Sequence, residues 1–206
     1  LSGQQPDEPP QLPRPRSEVS LIIGDRIGTQ PRIAVPDCLA PSGDADMKAI
    51  AKTVAEVLWD DLDFEREFRM VARDTYDSVP AARSLVDLPL DAWRELGTDG
   101  IVSCAVERVG DDRLRVTARL FNARSMTSAF GVEYTGSMSS VRTYAHQLSD
   151  EIHRHQRGLQ GVARSKIAFI SDRDSQSMLG LVENRSTKEV YFSDYDGANV
   201  RRVTIS

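Results

Sequence analysis

The sequence predicts an α+β fold: a mixed sheet of about five strands with two main helices over residues 18–160, followed by a separate strand-and-turn segment over 161–206. Three observations predict it. Two stretches repeat apolar residues at three- and four-residue spacing, the mark of helices that cover a sheet. Between them lie three long strand-like runs joined by short turns. The last forty or so residues change pattern, with strands reversing around Asp, Gly and Asn.

The elements follow in order. Residues 1–17 hold half of the ten prolines and almost no apolar side chain, so they form an extended, solvated arm. Glu18 to Ile23 is a short strand, with Gly24 and Gly28 marking the turn after it. Ile33, Ala34 and Val35 are a continuous apolar run, expected as a strand buried on both faces. Pro41 to Asp44 turns the chain and caps a helix from about Ala45 to Phe64, whose inner stripe is Met47, Ile50, Ala51, Val54, Val57, Leu58 and Leu62. Phe68 to Val71 is a further strand, Asp74 to Ala82 holds at most a helical turn, and Asp91 caps a short helix that Gly97 stops.

Runs from Asp99, Arg113 and Ser128 then make an antiparallel meander, with turns at Gly110–Asp112 and Ala123–Thr127. A second amphipathic helix spans Val141 to Gly158, with Val141, Tyr144, Leu148 and Ile152 facing inward. Gly158 and Gly161 punctuate the chain before a new strand at Lys166.

A hydrophobic content of 40% supports a packed core, and 26 basic against 31 acidic residues give no general attraction for nucleic acid or anionic membranes. No apolar run reaches the roughly 18 residues of a membrane helix, and none marks a signal peptide. Cys38 and Cys104 each sit in an apolar strand-like run. Two separate buried thiols are expected, with a disulfide as the alternative.

Candidate chemistry is sparse, and no catalytic residue, cofactor or metal is expected. His146, Asp150 and His153 share one helix face, which suffices geometrically for a metal. With no evident fourth ligand, a solvated polar stripe is the expected reading. Asp60, Asp61, Asp63, Glu65 and Glu67 crowd the end of the first helix, where acid opposes the macrodipole; a solvated face or a basic partner accounts for them. Asp172, Asp194 and Asp196 are too scattered to hold a cation and are expected in Asx turns. Gly-x-Ser-x-Gly, phosphate-cradling and dinucleotide motifs are all absent from the sequence.

At the carboxy-terminal end, Glu189 to Phe192 enters the turn "SDYDGAN" and Val200 to Ile205 returns from it. Two or three strands are not stable alone. This end is therefore expected either to lean on the rest of the chain or to open a second, truncated domain.

Three stretches together resemble the TolB family: "AHQLSDEIHRHQRGLQGVARSKIAFIS" from Ala145, "KEVYFSDYDGANVRRV" from Lys188, and "AWRELGTDGIVSCAVERVGDDRLRVTARLFN" from Ala92. The resemblance implies that residues after Lys166 begin a six-bladed β-propeller of which the chain holds only the start. It also implies a non-enzymatic, periplasmic adaptor of the Tol-Pal envelope system, with TolA and the peptidoglycan-associated lipoprotein as partners. Val19, Ser20, Leu21, Ile22 and Ile23 are the candidate partner-binding segment, being short, apolar and next to a flexible arm, so that they can pair with another chain through the main chain; an ordinary edge strand is the alternative. The rival readings are a scaffold fragment of a propeller-containing peptidase and a TolB-like paralogue with another envelope partner.

Overall fold

The computed structural model describes residues 30–173 and 188–205. The main sheet has five strands: β1 (Arg32–Ala34), β2 (Arg69–Met70), β3 (Gly100–Gly110), β4 (Arg113–Asn122) and β5 (Thr127–Ser137). Their order is β2-β1-β3-β4-β5. β1 runs parallel to both neighbours, while β3, β4 and β5 form the expected antiparallel meander. The sheet is therefore mixed, and its parallel part is fed by the helical crossovers that parallel pairing requires.

Helices α1 (Ala45–Glu65) and α3 (Val141–Arg157) pack side by side over one face. Met47, Val54, Leu58 and Leu62 of α1, with Leu148 and Ile152 of α3, meet Val102, Val106, Leu114, Val116 and Leu120 of the sheet in the larger core. Asp44 caps α1 as its sequence predicts, accepting from the Met47 N–H at 2.8 Å. Gly158 ends α3 at φ +67°, a left-handed turn that a residue without Cβ adopts freely.

The opposite face is covered by a 3-10 helix (Arg73–Ser78) and the short α2 (Leu90–Glu95), where Trp93 and Tyr76 meet edge to face above Ala34, Val71, Ile101 and Ala123. β1 is thus covered on both sides, as its apolar run requires. Asp91 is not the cap of α2. It lies inside the first turn and pairs with Arg94, because Pro89 already sets the backbone entry.

The two cysteines are not separate thiols but a disulfide. After β1 the chain continues beside β3, where a parallel bridge pairs Leu39 with Ala105. Leu39 N–H donates to Cys104 O, and Val106 N–H to Leu39 O, each at 2.8 Å. That pairing brings the Cα atoms of Cys38 and Cys104 to 4.6 Å, inside the bonding range. The contact lies 66 positions apart in sequence, beyond what local patterning encodes.

A second sheet of three antiparallel strands, β6 (Lys166–Ser171), β7 (Glu189–Asp194) and β8 (Arg201–Arg202), occupies the carboxy-terminal part. β8 is shorter than the expected return strand. Ile170, Val203 and Ile205 stay exposed on this sheet. Among the described residues, no helix is long and apolar enough to cross a membrane.

Candidate functional site

The densest group of buried ionisable side chains lies where the end of α1, the length of α3 and the turn after β7 converge. Amphipathic patterning places the inner stripes of both helices on the sheet, which leaves their polar flanks facing each other. Asp61 and His146 meet there at 2.7 Å, and Glu65 and His153 at 2.8 Å. Glu67 receives the Arg157 guanidinium at 2.9 Å. The three contacts follow one another along α3, two from the last turn of α1 and the third from just beyond its cap.

The polar stripe of α3 is therefore buried, not solvated: His146, Asp150 and His153 are each less than a tenth exposed. Nor do the three gather on one ion. His146 and His153 turn toward α1, while Asp150 accepts from the Ala163 N–H at 2.9 Å and from Arg164 Nε at 2.6 Å. The acidic run of α1 is likewise only partly a solvated face. Asp60 and Asp63 pair near the surface with Arg73 and Arg66, and the basic partner of Asp61, Glu65 and Glu67 is α3 itself.

Burial controls the electrostatics. It pushes Asp61 above the ordinary carboxylate range, against the pull of His146. It pushes Glu65 up to about 7, helped by the negative charges of Asp150 and Asp61. The same loss of water draws His153 down, favouring its neutral form.

The turn after β7 closes the group from the other side. Asp194 accepts from Lys166 and from Asn199, the latter at 2.6 Å, and Asp196 binds Arg142 of α3 and the Ala198 N–H at 3.0 Å. The expected Asx turn is present at Asp196. Tyr195 meets Phe64 of α1 edge to face at 4.9 Å between ring centres. Far from scattered, Asp194 and Asp196 each bring a carboxylate oxygen to within 4.8 Å of a ring nitrogen of His146 and of one another. Asp172 is not among them.

A wide cleft of about 920 Å³ lies apart from this junction, beside the disulfide, with Lys48, Lys52 and Arg73 on its rim and Tyr76 and Trp93 in its wall. Sequence patterning gave no sign of it. The expected partner-binding residues Val19, Ser20, Leu21, Ile22 and Ile23 lie outside the described residues.

The model of the TolB amino-terminal domain family matches residues 19–128, more than half of the chain. The chain belongs to the TolB family. It is similar to the Tol-Pal system protein TolB of Geobacter sulfurreducens, 34% identical over 162 residues that cover 79% of this chain and 34% of the relative. It is also similar to the Tol-Pal system protein TolB of Desulfosudis oleivorans, 28% identical over 84% of this chain and 37% of that one. Among solved structures, TolB from Acinetobacter baumannii shares the fold, with a TM-score of 0.61 at 18% identity, over 86% of this chain and 39% of that chain. This TolB-family chain therefore spans about a third of the length of the curated relatives it matches.

Proposed function

We propose that the protein is a periplasmic adaptor of the Tol-Pal envelope complex, acting through protein contacts and not through catalysis. Membership of the TolB family, with relatives named as Tol-Pal system proteins, is the observation that carries this reading. The Cys38–Cys104 disulfide supports it, since such bonds persist in oxidising compartments such as the periplasm.

In this reading residues 1–17 precede the amino-terminal domain at 18–160, and 161–206 are the start of a β-propeller. The first region meets TolA and the propeller meets the peptidoglycan-associated lipoprotein, contacts that maintain outer-membrane integrity and constriction at division. Val19, Ser20, Leu21, Ile22 and Ile23 supply the TolA contact by adding main-chain hydrogen bonds at a sheet edge.

Calorimetric titration of the chain with the carboxy-terminal domain of its cognate TolA tests this, repeated after deletion of Leu1 to Ile23. Saturable binding that disappears with the deletion is expected. A folded chain that does not bind overturns the adaptor role, and binding that survives the deletion overturns the assignment of the segment.

A further inference from the structure

We infer that His146, Asp194 and Asp196 form a binding site for a divalent transition-metal ion, of the class that zinc represents, which fastens α3 to the turn after β7. The three residues offer one imidazole nitrogen and two carboxylate oxygens, all within 4.8 Å of one another. Imidazole with carboxylates is a donor set that suits zinc, and three protein ligands leave one coordination position for water.

The state of His146 points to a ligand. Its ring is buried, with the side chain 7% exposed. Nδ1 is engaged with Asp61 at 2.7 Å, and Asp61 is fully buried. A carboxylate in that position holds the ring proton on Nδ1, so Nε2 presents its lone pair. Nε2 has no hydrogen-bond partner. A buried acceptor with no donor costs free energy, and this ring stands beside two further negative groups, one of its nitrogens lying within 4.8 Å of both. A cation between them removes the conflict. The chain Asp61–His146–metal is also the arrangement in which an outer carboxylate orients a ligating imidazole and raises its basicity.

Charge leaves room for such an ion. Asp61, Asp194 and Asp196 contribute three carboxylates, against which stand Lys166 on Asp194 and Arg142 on Asp196. One negative charge is left over while His146 is neutral. Lys166 is 62% exposed, so water weakens its hold, and each carboxylate oxygen keeps a second lone pair beyond its present partner. Ligand atoms on a tetrahedral ion with bonds of about 2.0–2.2 Å stand roughly 3.4 Å apart. Adjustments of the two aspartate side chains, one at the end of β7 and one in the turn after it, bring donor atoms that lie within 4.8 Å of one another to that spacing.

The test is calorimetric titration of the metal-stripped 206-residue chain with zinc chloride, with cobalt(II) chloride followed in parallel by visible absorption. Both cysteines are in the disulfide, so no thiol competes for the metal. One equivalent is expected to bind, to give ligand-field bands with cobalt and to raise the melting temperature. Asp196→Asn and His146→Gln are each expected to weaken binding at least tenfold, and Asp61→Asn, which acts only through the imidazole, by about 10- to 100-fold. His155→Ala leaves binding unchanged. A chain shown to be folded by circular dichroism that binds neither ion overturns the inference, as does binding that Asp196→Asn does not alter. Asp196 lies in a turn, so that variant carries the test even where the His146 substitution disturbs folding.

Discussion

His153 Nδ1 stands 2.8 Å from Glu65 Oε2, with the two side chains only 9% and 2% exposed. Burial drives both toward neutrality, from opposite directions. The contact brings together an acid that resists ionising and a base that resists protonation, and the negative charges of Asp150, Asp61 and Glu67 add to the resistance of Glu65.

That relationship predicts a pH-dependent stability. Glu65 has a folded pKa raised from 4.5 to about 7, so between those values the folded chain holds a proton that the unfolded chain has released. Its contribution is fully present below 4.5 and is lost as pH rises to 7. His153 has its folded pKa lowered, so its contribution grows with pH up to its unfolded value and partly masks the loss. Glu65→Gln removes only the first effect. The stability of the native chain relative to Glu65→Gln is expected to fall by on the order of 2–3 kcal/mol between pH 5 and pH 8, read from urea unfolding at each pH. An unchanging difference contradicts the burial-driven shift.

Gly161 predicts a steric effect. A Cβ built there would lie 2.6 Å from the Cα of Asp150, so the link after α3 passes against the helix backbone, where nothing can yield. Gly161→Ala is expected to lower stability by about 1–3 kcal/mol. It should also loosen the Ala163 and Arg164 bonds to Asp150, which proton exchange at the Ala163 amide would register.

The disulfide predicts a redox effect on stability. Closing a loop of 66 positions removes unfolded-state entropy worth about 4 kcal/mol at room temperature. Reduction, or Cys38→Ala with Cys104→Ala, is expected to lower the unfolding free energy by about that amount in denaturant titration.

The architecture was legible where it depends on local periodicity. The stripes of α1 and α3, the Asp44 cap, the meander and the end of α3 at Gly158 all stand where the sequence places them. Contacts between distant elements were not legible. The stripe His146–Asp150–His153 has the spacing of a solvent face, and only the approach of α1 turns it inward. A signal did exist: Asp61 and Glu65 are one turn apart on the first helix, and His146 and His153 two turns apart on the second. Complementary charges at matching helical phase suggest facing helices, but the sequence does not say which helices neighbour each other. The disulfide and the approach of Asp194 and Asp196 to His146 escaped for the same reason, since both depend on registers between elements far apart in the chain, whereas the Asx turn at Asp196, a local feature, was legible.

The disulfide also decides how the fold carries a mechanical load. A pull between Gln30 and the last strands enters through β1 at Arg32 and reaches Cys38 within a few residues. There it crosses directly to Cys104 in β3, and the loop between them, with α1, β2 and α2, drops out of the tensioned path. With the bond intact, roughly 220 Å of chain cannot be drawn out by stretching the ends. Single-molecule extension would therefore show a shorter contour in the oxidised protein than in the reduced one, with the covalent clamp holding the sheet's parallel half together under load.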